Sequence, residues 1–236
     1  MRDSIRHFVA EFVGIFALVF VGGAALINGQ SRASAAGLLE AAFAHGLILA
    51  VAVTATMRIS GHFNPAVTLG FLVARRIEPV MAGVYIVAQL LGAMLAAYAL
   101  RGLFPDPDAI AARLGGQAIA LNVTAWQAIG LEAIATFLLT FVIFGTAVDP
   151  NAPRVGGLAI GLTVTAGILA IGPLTGGSMN PARSFGPAVA SGIFEGQAVF
   201  WTGPIVGAIT AALLYDTLFL RRGVEPVDHG AVRPTR

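Results

Sequence analysis

The sequence predicts an all-α membrane protein with six transmembrane helices and two re-entrant half-helices, arranged as an inverted repeat of three spans per copy. Three observations predict this. The 236 residues are 57% hydrophobic and 11% charged, less than half the charged share of about 25% usual in soluble domains, and the mean hydropathy is +0.83. Six apolar runs are long enough to cross roughly 30 Å of hydrocarbon at about 1.5 Å per residue. Two more apolar stretches are too short to cross, and both begin Asn-Pro-Ala. These features exclude a disordered chain and argue against an ordinary soluble domain.

The spans, in order, are residues 8–27, 36–57, 79–100, 124–148, 155–171 and 198–220. The first carries Glu11 and has no small-residue cleavage site, so it reads as a span rather than a cleaved signal peptide. The linkers hold the breakers and charges: Gly29-Gln30-Ser31-Arg32, then Pro105-Asp106-Pro107-Asp108 through Asn122, then Asp149-Pro150-Asn151-Ala152-Pro153. The 29 glycines fit closely packed membrane helices. The chain has no cysteine, which excludes disulfides, a thiolate nucleophile and Cys metal sites. The net charge of +2 comes from arginine alone. Those arginines lie between apolar runs rather than in one patch, so no nucleic-acid partner is expected.

Orientation follows from the arginines. With the N-terminus inside, the inner segments hold Arg2, Arg6, Arg58, Arg75, Arg76, Arg154, Arg221, Arg222, Arg233 and Arg236. The outer side holds only Arg32, Arg101, Arg113 and Arg183. Six spans then leave both termini cytoplasmic, in the cell membrane. Residues 223–236 are polar, contain two prolines and read as a disordered cytoplasmic tail.

The short stretches cover 64–74 and 180–190. As helices each would be about 16 Å long, half the hydrocarbon thickness. Asn is a strong N-cap and Pro is favoured at the first helical position, so each Asn-Pro-Ala is a helix start. Segments around them also match between the halves. His62-Phe63-Asn64-Pro65-Ala66-Val67-Thr68-Leu69-Gly70 pairs with Ser178-Met179-Asn180-Pro181-Ala182-Arg183-Ser184-Phe185-Gly186. Glu11-Phe12-Val13-Gly14 pairs with Glu132-Ala133-Ile134-Ala135, and Leu91-Gly92-Ala93 with Val206-Gly207-Ala208. Each copy has three spans, and an odd number inverts the second copy. The repeats, about 1–110 and 120–222 of a single channel domain, should bring both half-helix N-termini together near the midplane.

These residues resemble the aquaporin (major intrinsic protein) family. The likeness rests on Asn64-Pro65-Ala66 and Asn180-Pro181-Ala182, on Ile59 through Thr68 and on Ser178 through Ser184, and it covers nearly the whole chain. It implies a right-handed six-helix bundle, one pore per subunit, a homotetramer, and no cofactor. It also implies a selectivity filter of His45, Ile168, Gly177 and Arg183. Backbone carbonyls of the non-helical segments 59–63 and 175–179 would line the pore, with Gly61, His62, Phe63, Gly176 and Ser178 as the named positions. Glu11 and Glu132 would support that irregular backbone. His62 either narrows the inner vestibule or contributes only its carbonyl. Trp126, Trp201, Tyr85, Tyr98 and Tyr215 are expected as interfacial anchors.

Strict water channels typically carry Phe, His, a small polar residue and Arg in the filter. The set here is more similar to that of plant vacuolar (tonoplast intrinsic) aquaporins, some of which pass ammonia. The absence of lysine, with abundant Ala, Gly and Arg, fits a high-GC prokaryotic source. The resemblance therefore implies a passive channel for water, with ammonia or other small neutral solutes, that excludes protons and ions. The alternative is a glycerol or small-polyol facilitator. In those, Asp typically follows the filter Arg, with Lys a few residues on; Ser184 and Ala188 stand there here. A coupled transporter would place an acid at the midplane, where this sequence has two Asn. An intramembrane enzyme would need a nucleophile or metal set. The four histidines His7, His45, His62 and His229 form no ligand pattern, and HExxH and GxSxG are missing.

Overall fold

A computed structural model describes residues 2–31, 37–153 and 155–220. The tail 223–236 lies outside them, as do Arg32, Arg154, Arg221, Arg222, Arg233 and Arg236 of the orientation argument. In chain order the helices are α1 (Arg2–Ser31), α2 (Gly37–Thr56), α3 (Pro65–Val73), α4 (Pro79–Leu103), α5 (Asp106–Ala111), α6 (Ala125–Ile143), α7 (Gly156–Thr175), α8 (Pro181–Ser191) and α9 (Gln197–Tyr215). Wider π turns extend α6 over Phe144–Val148 and α9 over Asp216–Leu220. Six helices are long and apolar enough to cross a membrane, whereas α3 and α8, with 9 and 11 residues, are not.

The span positions match the hydropathy, with one informative difference. The fifth span was expected to stop at Ile171, before Gly172-Pro173. Instead α7 runs through Pro173 to Thr175 and stops at Gly176, whose φ of 82° provides the left-handed cap. Thr175 is therefore helical, not part of the irregular segment.

Helix contacts are symmetric between the halves. α1 packs on α2 and α4, as α6 packs on α7 and α9. Each half-helix lies against the last span of the other half: α3 on α9 and α8 on α4. α2 and α7 cross at the centre, and α3 meets α8. Exchanging the halves leaves this pattern unchanged, as an inverted three-helix repeat requires.

Glycines allow these crossings. A Cβ on Gly46 would fall 2.5 Å from the Gly161 carbonyl, and one on Gly161 would fall 2.2 Å from the Gly46 carbonyl. The α2–α7 backbones thus meet with no room for a side chain, the close approach that small residues permit between membrane helices. Gly92 of α4 against Phe12, and Gly207 of α9 against Ala133, repeat the device at matching positions.

The outer surface is apolar. Val9, Val13, Leu47, Val51, Leu138 and Leu158 are exposed, while Glu11, Glu132, Gln89, Thr136 and Arg183 are buried. A soluble protein shows the reverse. The chain is an integral, multi-pass membrane protein. An even number of spans returns the chain to the side on which it started, called here the terminal face.

Candidate functional site

Both half-helices start as their sequences dictate. Asn64 and Asn180 are extended N-caps, each with φ of −157°. The Asn64 Oδ1 accepts from the Ala66 N–H at 2.9 Å, and Asn180 Oδ1 accepts from Ala182 at 3.0 Å and Arg183 at 3.3 Å. Pro65 and Pro181 occupy the first turn. The caps are thus satisfied by oxygen, which leaves the amide nitrogens free for other work.

The residue before each Asn is in the left-handed region: Phe63 at φ 47° and Met179 at φ 52°. Neither is glycine, so each costs roughly 1–2 kcal/mol. The compensation is visible on both sides of each residue. The Phe63 N–H donates to Glu11 Oε2 and the Met179 N–H to Glu132 Oε2, both at 2.7 Å. Their carbonyls turn the other way and meet the opposite box. Asn64 Nδ2 donates to the Met179 carbonyl at 2.7 Å, and Asn180 Nδ2 donates to the Phe63 carbonyl at 2.8 Å. The two half-helix starts are therefore cross-linked by reciprocal hydrogen bonds. Each amide has a second N–H with no protein partner among the described residues, and both Asn border the same cavity.

The two glutamates hold the irregular backbone from behind. Glu11 accepts from Ser60 Oγ, the His62 N–H (2.9 Å), the Phe63 N–H and Gln89 Nε2 (2.7 Å). Glu132 accepts from Thr175 Oγ1 (2.7 Å), the Ser178 N–H (2.9 Å) and the Met179 N–H. A carboxylate is acceptor-only and has room for about four donors, so each acid is matched to its neighbours.

The cavity runs along the axis of the bundle. Leu18, Leu49, Val67, Leu139, Ile160 and Val164 give it apolar walls; Gly61, His62, Asn64, Ser178, Asn180 and Arg183 supply its polar atoms. It admits the centres of water-sized spheres over only about 20 Å³, where one water needs about 10–15 Å³. The cavity thus has room for about one or two waters. At Gly61 and His62 it opens into a wider chamber of about 190 Å³, lined also by Met57, Phe71, Tyr85, Ala147 and Val148. The His62 ring packs against Phe71 and Tyr85, with centroids 4.2 and 5.1 Å away.

At the other end Arg183 is buried, with 3% of its surface exposed. Its Nη1 donates to the Gly177 carbonyl at 3.1 Å, and its buried Nε has no protein partner. Gly177 has φ of 60°, and a Cβ there would sit 3.1 Å from the Ile168 Cα. His45 lies within electrostatic reach of Arg183. Its Nδ1–H donates to the Ala41 carbonyl at 2.7 Å, and the ring fills the space left by Gly22. His45, Ile168, Gly177 and Arg183 are thus all buried, with Gly177 against both Ile168 and Arg183, and of the four Arg183 is the one that borders the cavity.

Some expectations need correction. Phe63 borders the cavity, and its carbonyl has a further task, accepting the Asn180 amide. Gly176 is the left-handed cap of α7 and packs against Gln117. Tyr85 and Tyr215 are buried rather than interfacial: Tyr85 OH lies 2.6 Å from His7 Nδ1, and Tyr215 OH donates to Asp149 Oδ2. Trp126 and Tyr98 are exposed near span ends. Two buried residues lie outside those expectations. Gln89 sits in mid-span between Glu11 and Thr68 Oγ1, 3.0 Å from the latter. Gln117 sits in the inter-repeat loop and accepts from Ser184 Oγ at 2.5 Å. A lone Gln in an apolar span was the available signal for the first. The hydroxyls four residues after each Asn, Thr68 and Ser184, were the signal for both.

The comparisons agree with this geometry. The family profile described as "Major intrinsic protein" matches residues 1–215. Aquaporin TIP2-1 of Arabidopsis thaliana is 42% identical over 230 residues, covering 92% of this chain and 88% of that protein. Probable aquaporin TIP1-2 of Oryza sativa subsp. japonica is also 42% identical, over 96% of this chain and 90% of its own length. Among solved structures, the X-ray structure of the aquaglyceroporin from Plasmodium falciparum superposes with a TM-score of 0.80. It is 25% identical and covers 92% of this chain and 97% of that one.

Proposed function

The chain belongs to the major intrinsic protein family, channels rather than enzymes, and from that premise we propose that it conducts water together with ammonia and other small neutral solutes while excluding protons and ions. The observation that carries this is the pair of Asn amides at the meeting point of two helix N-termini. Each terminus carries about half a positive charge. Each amide keeps one N–H for the cavity. A water passing in single file accepts from these donors through its oxygen and turns both hydrogens away. No water there can both accept and relay a proton along the file, and the positive end charges repel cations and protons.

His45, Ile168, Gly177 and Arg183 act as the filter. Arg183 offers donors to a solute that has lost its hydration, and its charge opposes cations. Ile168 and Gly177 bring an apolar wall and no bulk, which leaves width for a solute slightly larger or less polar than water. The relatives' names as TIP aquaporins support water as the first substrate. The carbonyls of Gly61, His62 and Ser178 replace hydrogen bonds that solutes lose on entry. We place the terminal face in the cytoplasm of a cell membrane, on the arginine asymmetry, and the working assembly is a homotetramer with one pore per subunit.

The test uses purified protein in liposomes. Osmotic shrinkage followed by stopped-flow light scattering reports water, and an internal pH dye reports ammonia entry. Both should be faster than in empty vesicles, and Gly177→Trp should abolish both. Fast shrinkage with no added ammonia entry would leave a water-only channel. Glycerol entry matching that of water would favour the polyol facilitator instead. Single-channel mass and cross-linking check the tetramer.

A further inference from the structure

We propose that Gly22 of α1 is a specificity-determining position: it seats the His45 imidazole, and that seat fixes how far the ring stands from Arg183 and so which solutes pass. The proposal rests on the reading of His45 and Arg183 as members of the filter.

A Cβ on Gly22 would fall 2.1 Å from His45 Nε2, 2.3 Å from Cδ2 and 2.4 Å from Cε1. The tip of the ring therefore occupies the place of the missing side chain. The base of the ring is tied by Nδ1 to the Ala41 carbonyl, one turn back on α2 and 2.7 Å away. Neither backbone has room to yield. On α1, a Cβ on the neighbouring Gly23 would fall 2.4 Å from Leu100 Cδ1 and 3.6 Å from the Gly115 Cα, so that side of the helix is filled. On α2, the neighbouring Gly46 already touches the α7 backbone at Gly161. A methyl group at position 22 thus displaces the ring, because overpacking is relieved where a side chain can turn. Pushed off α1, the imidazole advances on Arg183, which lies within its electrostatic reach and borders the axial cavity.

The inverted repeat supplies an internal comparison. The pairing of Glu11 with Glu132 makes Ile143 the counterpart of Gly22. The reciprocal contact of Gly46 with Gly161 makes Ile160 the counterpart of His45. Ile143 and Ile160 are both buried, and both line the axial cavity and the wider chamber at its inner end. Two branched aliphatic side chains thus stand at the inner end where a glycine and an imidazole stand in the other half. The bulk that α1 gives up at Gly22 is taken up by the ring on α2. The exchange lets a polar side chain stand near Arg183 with its tip lodged in the surface of α1 rather than in the passage. A seated ring leaves width, and a displaced ring removes it. The loss falls on ammonia, slightly larger and less polar than water, before it falls on water.

The experiment measures water and ammonia permeability of the full-length protein in liposomes, per reconstituted channel, for Gly22→Ala, His45→Ala and the double variant. Gly22→Ala should lower the ammonia-to-water ratio about threefold or more and reduce water flux as well. His45→Ala should raise the ratio. In the His45→Ala background no ring is left to displace, so adding Gly22→Ala should change either flux by less than about 1.5-fold. In a channel that passes water alone, the same conditional pattern is read on water flux. A merely structural glycine would act alike in both backgrounds, or would lower only the melting temperature; either result overturns the seat, as do undiminished fluxes in folded Gly22→Ala. If Gly22→Ala does not fold, the double variant decides. Folding and conduction restored by His45→Ala support the seat, and a double variant that also fails overturns it. If His45→Ala alone leaves water flux and the ratio unchanged, the filter reading of His45 fails, and this proposal with it.

Discussion

In the half that carries the first Asn-Pro-Ala, the buried acid is fed by a glutamine from within the repeat; in the half that carries the second, it is not. Gln89 of α4 donates both to Glu11 and to Thr68, the hydroxyl four residues after Asn64. The matching position of α9 is Pro204, whose side chain has nothing to donate. Glu132 keeps one hydroxyl donor, Thr175, as Glu11 keeps Ser60, but has no counterpart of Gln89. Ser184, the counterpart of Thr68, turns to Gln117 in the loop between the repeats. The backbone geometry is nearly identical in the two halves: left-handed residue, extended Asn, first-turn Pro. The comparison teaches that this geometry is what the duplication preserves. Wherever a buried donor or acceptor needs a partner, any nearby element can supply it. In the first half the hydroxyl after the box finds its partner within its own repeat, while in the second it depends on a loop, and Ile168, Gly177 and Arg183, three of the four residues proposed as the filter, lie in that second half.

The comparison can be broken most forcefully at the acids. Glu132→Ala removes the carboxylate that accepts from three donors and Glu11→Ala the one that accepts from four. At about 1–3 kcal/mol per orphaned group, each variant should lose several kcal/mol, and Glu11→Ala at least as much as Glu132→Ala. Thermal unfolding in detergent measures this; a stable Glu132→Ala protein would show that the second half has another support. The next effect concerns the shared centre. Asn64→Ala and Asn180→Ala each remove one cap and one cross-link, so each should cost about 1–3 kcal/mol. The two costs should agree within about 1 kcal/mol, because the bonds are reciprocal; a clear inequality in the same assay would mean that the symmetry is only geometric.

Gln89→Leu sharpens the contrast between halves. It should destabilise by about 1–2 kcal/mol through the lost bonds to Glu11 and Thr68, without altering the glycerol-to-water flux ratio. A shift in that ratio would show that the support behind the first box also sets selectivity. The smallest effect is expected at the exposed rim. Trp126 is 82% exposed, and Trp126→Ala should change stability by less than about 0.5 kcal/mol, with water flux per channel unaltered. A large change in calorimetry would place a further contact on that face.

How much was legible follows the range of the interactions. The spans were legible because burial in hydrocarbon acts on every residue of a run. The half-helix starts were legible because Asn at the cap and Pro at the first turn act on backbone two residues away. Glu11 and Glu132 stood out as acids at matching positions within apolar spans. The left-handed Phe63 and Met179 were not legible, since nothing in a Phe or a Met announces a positive φ. Nor was the fate of the Phe63 carbonyl, which an amide 117 residues later occupies. Tyr85 and Tyr215 misled for a related reason: an amphipathic ring at a span end reads as an anchor whether it turns outward to lipid or inward to His7 or Asp149.

The sequence by itself determined six spans, two half-helices and their inverted duplication, because hydropathy, capping and repetition are written in neighbouring residues. Only the tertiary structure decided which partner each buried polar group would find. Gln89 reaches Glu11 across 78 positions and Ser184 reaches Gln117 across 67. Such pairings depend on which helices lie side by side, and that depends on glycines such as Gly46 and Gly161 letting backbones touch. A buried donor in hydrocarbon must be matched, but the chain does not say by whom until it has folded.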